Sequence, residues 1–253
     1  MNILSRLGKL AGGGLLLAAG LLGCNKDQEF VPPFESGVEY YPLVINTQRT
    51  YAVVDTAWTA GRATVKSFQL REALVDTFRN ASGEKSFRVV RSRRALPTDA
   101  WVNDSVYTLT FTNETVTLLR DNRRTVELIF PVRDNQGWNQ FIYDGSSPDT
   151  SIDVNRRYHR VGQPLTLAPR GLPTKSYPKT LITRNEGSNS DLFAEDLYYL
   201  KQYQQVYARE IGPVMRRRRS YYFGTDDPTY TPSPDYIFRG NSRYELLIDY
   251  GPL

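Results

Sequence analysis

The 253-residue chain contains one cysteine, Cys24, and one histidine, His159. A lone thiol excludes an internal disulfide framework. One thiol and one imidazole cannot assemble the sites that usually hold zinc, copper or iron, so no metal or cofactor is expected. A Ser-His-Asp triad would have to use His159, and no Gly-x-Ser-x-Gly elbow is present. A basic surface loop is the expected setting for this histidine, within Asn-Arg-Arg-Tyr-His-Arg. The spaced-aspartate loop of an EF-hand is missing. Few segments carry the apolar i, i+3, i+4 spacing of a helix. No repeat of fixed period is visible, and no long apolar run follows residue 23.

What is there begins at the N-terminus. Arg6 and Lys9 lead into an apolar stretch, Leu10 to Leu22, which is the plan of a secretory signal peptide. The stretch is short for a membrane span, which needs about 20 apolar residues. Leu21-Leu22-Gly23-Cys24 resembles the lipobox of bacterial lipoproteins. The resemblance implies that Leu21, Leu22 and Gly23 are read by the signal peptidase. It also implies that Cys24 carries acyl chains, palmitate among them, after cleavage. The following Asn25-Lys26-Asp27-Gln28-Glu29 resembles the Lys-plus-acidic export tag of Bacteroidota surface lipoproteins. Lys26, Asp27 and Glu29 match it, and Gln28 interrupts it. The tag predicts an outer-membrane protein exposed at the cell surface, with the periplasmic face of that membrane as the alternative.

Removing residues 1–23 takes away Arg6 and Lys9 and no acid, so the net charge falls from +5 to +3. That balance speaks against a nucleic-acid partner, which calls for a concentrated basic face. The expected organisation is a signal peptide over 1–23, a lipidated cysteine with an extended tether over 24–38, and one β domain over 39–253. Pro32 and Pro33 stiffen the tether.

The tyrosines, phenylalanines and threonines of the mature chain favour strands. Tyr51, Val53, Asp55 and Ala57 share one face of a first strand, and Ala52, Val54, Thr56 and Trp58 the other. Phe68, Leu70, Glu72, Leu74, Asp76 and Phe78 share a parity. The acids among them predict a bend or a half-exposed strand. Asn80–Gly83 reads as a turn. Residues 104–132 read as three meandering strands with turns at 112–114 and 121–122. Residues 134–150 and 161–178 read as long loops with short strands at most. For 191–210 a helix and a strand remain open. The hairpin "VYAREIGPVMR" is preferred, because Pro213 would interrupt a longer helix. A last strand covers "SRYELLIDYG" after the loop "GTDDPTYTPSPDY". The fold class is all-β and mainly antiparallel, a barrel or sandwich with long loops and at most one or two short helices. Tyr41-Pro42-Leu43, "TVELIFPV" with Trp138, the hairpin and "LLIDYG" resemble surface lipoproteins of the Bacteroidota to which no activity is assigned.

No constellation specifies a reaction. Asp144, Asp149, Asp153, Asp226 and Asp227 are acids in loops and could form a hydrolase pair, although such residues are turn formers. Asp55-Thr56-Ala57 and Asp104-Ser105-Val106 resemble the short O-glycan acceptor motif of Bacteroidota. The run Arg216–Arg219 is the most pointed charge feature. On a strand, Arg216 and Arg218 share a face. With Arg156, Arg157 or Arg160 they could hold phosphate or an acidic sugar, since guanidinium suits bidentate anion recognition. The plainer alternative is a solvated edge strand. The expected function is a non-enzymatic envelope or surface binding module with a glycan or protein partner. A lipid-handling protein with an apolar cavity, or a carboxylate-pair hydrolase, are the alternatives.

Overall fold

The structure is a computed structural model that describes residues 36–143, 155–168, 171–185, 198–225, 227 and 229–253. Leu21, Leu22, Gly23, Cys24, Lys26, Asp27 and Glu29 lie outside the described residues, as do Asp144, Asp149, Asp153 and Asp226.

The described chain is all-β. After a 3-10 turn at Val38–Tyr40 come β1 (Thr47–Thr59), β2 (Arg62–Arg79), β3 (Lys85–Arg94), β4 (Val102–Phe111), β5 (Thr115–Arg120) and β6 (Arg123–Ile129). They are followed by β7 (Gly137–Asn139), β8 (Asn155–Leu167), β9 (Lys175–Asn185), β10 (Tyr199–Ala208), β11 (Gly212–Tyr222) and β12 (Arg239–Pro252). All pairings are antiparallel, in the order β6-β5-β4-β3-β2-β1-β12-β11-β10-β9-β8-β7. The sheet is an up-and-down meander rolled into a nearly closed barrel. Its seam falls between β6 and β7, bridged by Val126 N–H to the Gln140 carbonyl at 2.8 Å and by Trp138 Nε1–H to the Val126 carbonyl at 3.0 Å.

Alternation explains the inward face. Tyr51, Val53, Leu70, Leu74, Val89, Tyr107 and Leu109 are buried, while Val54, Val65 and Val106 face solvent. The turns expected at 80–83, 112–114 and 121–122 are present. Asp121 and Asn122 both take positive φ, 51° and 60°, which suits a two-residue hairpin. The 209–211 hairpin joins β10 to β11, so the strand reading holds for Tyr199–Ala208.

Three expectations are corrected. The basic loop expected around His159 and the long loop expected over 161–178 are largely strand: 155–167 form β8 and 175–178 open β9. Register shifts between His159 and Leu165 absorb Arg160 (φ 53°), Gly162 (φ 75°) and Pro164, which a regular ladder would reject. His159 is therefore on a strand and half-buried. Glu72 is not half-exposed either. It is 2% exposed, and the irregularity of β2 comes later, between Leu74 and Asp76.

One end of the barrel is plugged. Residues 36–43 cross it with Tyr40 and Tyr41 buried. Glu210 N–H donates to the Glu39 carbonyl at 2.8 Å and Val132 N–H to the Ser36 carbonyl at 3.1 Å. Arg49 donates to the carbonyls of Ile211 and Pro42 at 2.8 and 2.7 Å. Gly37 starts the plug at φ 83°, where a Cβ would meet Val132 Cγ2 at 2.4 Å. Gly37→Ala is expected to cost about 1–3 kcal/mol from backbone strain and this clash, measured by urea unfolding. Strands β2, β4, β8 and β10 end at the plugged end, and β1, β3, β5, β7, β9 and β11 end at the other.

Candidate functional site

The interior holds a buried ion-pair tetrad. Glu72 and Arg91 are cross-strand neighbours on β2 and β3, and Glu245 and Arg216 on β12 and β11. The two pairs meet over β1, which lies between β2 and β12. Arg216 Nη1 and Nη2 donate to Glu72 Oε1 and Oε2 at 2.8 and 2.9 Å. Arg91 Nη2 donates to Glu72 Oε1 at 2.8 Å, and Arg216 Nη1 reaches Glu245 Oε2 at 3.0 Å. Burial by itself would raise the Glu72 pKa. The Arg216 and then the Arg91 guanidinium reverse this and hold the carboxyl far below the ordinary range. Both acids thus share one guanidinium atom, and Glu72 is fixed as a carboxylate. This is a scaffold for charge and is unsuited to supplying a proton.

Tyrosines surround the tetrad. The Arg216 guanidinium lies 4.9 Å from the centre of the Tyr51 ring, and Tyr51 OH donates to the Pro213 carbonyl at 2.9 Å. Burial pushes Tyr41 up to about 12 and raises Tyr51, Tyr107, Tyr203 and Tyr207 as well. These phenols stay protonated. Tyr203 OH donates to Gln205 Oε1, whereas the buried Tyr207 OH has no hydrogen-bond partner among the described residues.

Above the tetrad, away from the plug, is a cavity of about 840 Å³. Glu72, Arg91, Tyr41 and Tyr107 form its floor, and Arg120, Arg123, Arg156, Lys201 and Arg218 lie toward the mouth. Among the described residues lining it, ten are basic and four acidic; Arg217 and Arg219 turn their side chains outward, which leaves a surplus of four positive charges toward the cavity. The whole chain has a surplus of five. Positive charge is therefore gathered here, in a concave site where focusing strengthens its pull on anions. Gln140 Oε1, also in the lining, is buried without a hydrogen-bond partner among the described residues.

The anion candidates separate. Arg216 and Arg218 do share the inward face. Arg216 is engaged by the two glutamates, while Arg218 is exposed at the cavity wall, 6.0 Å from the centre of the Tyr203 ring. Arg156 joins them, 4.2 Å from the same ring. Arg157 donates to the Asn135 carbonyl at 2.6 Å and Arg160 to the Pro164 carbonyl at 3.2 Å, and neither lines the cavity. Arg217 and Arg219 face the other way, onto Gln204 and Gln202. His159 is also outside the cavity, its pKa lowered by burial and then by Arg184. Asp227 is exposed and caps its own turn by accepting from Thr229. Among the described residues no cluster of His, Cys, Asp and Glu could hold a metal ion.

Sequence reasoning missed Glu72, Arg91 and Glu245. The usable signal was parity: Glu72 lies in phase with Leu70 and Leu74, so it had to be inside with them. It also missed Tyr158, which buttresses the seam. Its hydroxyl donates to the Ile129 carbonyl and accepts from Ile129 N–H, both at 2.8 Å. Tyr158→Phe leaves both backbone groups unpaired, and about 1–3 kcal/mol of stability should be lost. Denaturant unfolding measures it, and an unchanged midpoint would mean that the seam is held elsewhere.

No protein-family model and no curated protein matches the chain. A crystal structure of a lipoprotein candidate from Parabacteroides distasonis aligns over 84% of this chain and 98% of that one, with 7% identity and a TM-score of 0.35. A likeness of that size leaves function to be argued from the site.

Proposed function

We propose that the mature chain is an outer-membrane lipoprotein held by acyl chains on Cys24, and that it acts without catalysis as a binding module of the cell envelope. The export-tag resemblance favours the cell surface. The observation that carries the binding reading is the concave, cationic interior, with a surplus of four positive charges around about 840 Å³. The cavity lies toward the end of the barrel opposite residues 36–43.

The alternatives lose ground for physical reasons. An apolar lipid tail in this cavity would strip guanidinium and amide groups of water without pairing them. A hydrolase built on Glu72 would need that carboxyl to carry a proton, yet two arginines hold it ionised. Residues 25–253 applied to an array of envelope glycans test the proposal. Retention of at least one class, displaced by the same glycan in solution, is expected. No retention, with turnover of an offered glycan instead, would refute it.

A further inference from the structure

Arg218 differs from every arginine around it. Arg216 is bound to Glu72 and Glu245, Arg217 to Gln204, Arg219 to Gln202, and Arg243 to Asp55 at 2.7 and 2.6 Å. Arg218 makes no hydrogen bond or ion pair among the described residues, and its one close feature is the Tyr203 ring. It also stands at a junction. A second cavity, of about 520 Å³, is lined by Asp55, Thr64, Lys66 and Asn241, and shares Arg218 and Arg243 with the first. Strand pairing puts Lys66, Asp55, Arg243 and Arg218 side by side across β2, β1, β12 and β11.

Each compartment has the size of a small-molecule pocket. An inorganic anion would leave most of either unfilled. The donors and acceptors of the walls, Thr64, Lys66, Asn241 and the unpartnered Gln140 Oε1, call for a ligand rich in hydroxyls. The unpaired guanidinium at the junction calls for an anionic group there. We infer that Arg218 is the anion-recognising residue of the binding module proposed above. Its ligand is an acidic oligosaccharide whose carboxylate or phosphate sits on Arg218 while neighbouring sugars occupy both compartments. The inference rests on that binding reading and adds the ligand class.

Titration calorimetry of residues 25–253 at low salt is the test, with tetraglucuronate, monomeric glucuronate, inorganic phosphate and neutral maltotetraose as probes. Tetraglucuronate should bind, and more tightly than the monomer or phosphate. Arg218→Gln should weaken it roughly ten- to a hundredfold, and Arg218→Lys should restore part of the loss. Because Arg218 is exposed and unpaired, both variants should unfold at the wild-type midpoint. A phosphorylated oligosaccharide that binds with the same Arg218 dependence, where glucuronate fails, supports the inference and identifies the anion as phosphate. Equal binding of maltotetraose, or Arg218→Gln binding like wild type, overturns it while leaving a binding module of another specificity. Binding of phosphate or monomer as tightly as tetramer overturns the oligosaccharide. If no saccharide binds here, the inference fails, and the binding module fails with it only if the glycan array is also empty.

Discussion

Glu72→Gln should destabilise the protein by about 3–5 kcal/mol, a large part of the roughly 5–15 kcal/mol that holds a domain folded. The carboxylate is 2% exposed and accepts three hydrogen bonds from two arginines. Without it, Arg91 and Arg216 share Glu245 alone, and Arg91 Nη2 is 3.7 Å from that carboxylate. A buried positive charge is then uncompensated, and its desolvation is no longer offset. Glu245→Gln should cost less, because Glu245 accepts one bond of hydrogen-bond length from Arg216. The pH dependence has a definite sign. The folded pKa of Glu72 is depressed below its ordinary value of 4.5. Its contribution is therefore complete above that value and is lost as pH falls through the folded pKa. Urea titrations should show the gap between wild type and Glu72→Gln widest at pH 7 and narrowing below about pH 4.5. A gap that is small at pH 7, or constant with pH, would mean that water reaches the tetrad and screens it.

Cys24→Ser should abolish lipidation. Each buried methylene contributes about 0.8 kcal/mol, and one chain alone holds a protein only marginally, whereas two or three hold it durably. No helix among the described residues is long and apolar enough to cross a membrane. Cells fed labelled palmitate should label the wild-type chain and not the Cys24→Ser chain. Mass spectrometry should find residues 1–23 removed from the first and retained on the second. Label surviving the substitution, or cleavage unaffected by it, would remove the lipoprotein reading.

The strands were legible because their two faces meet different surroundings. Tyr107 and Leu109 are buried, while Val106 faces solvent and Thr108 is half-buried. The turns at 112–114 and 121–122 were legible from their residue types. The tetrad was not, because reading an acid as exposed assumes an apolar interior. Glu72 is inside because two arginines arrive there from β3 and β11, one of them 144 positions away. Strand β8 was hidden by Gly162 and Pro164, which signal loops unless a bulge absorbs them. The Arg216–Arg219 run was legible as alternating, but only the glutamates on β2 and β12 separate the engaged Arg216 from the unpaired Arg218.

The ligand proposed for the barrel interior is polar and anionic. Native mass spectrometry of residues 25–253, purified gently from an envelope-bearing host, tests it most directly. A retained mass is expected that is lost on denaturation, is water-soluble and acidic, and is displaced at raised salt. A retained mass identified as an acyl lipid would contradict it.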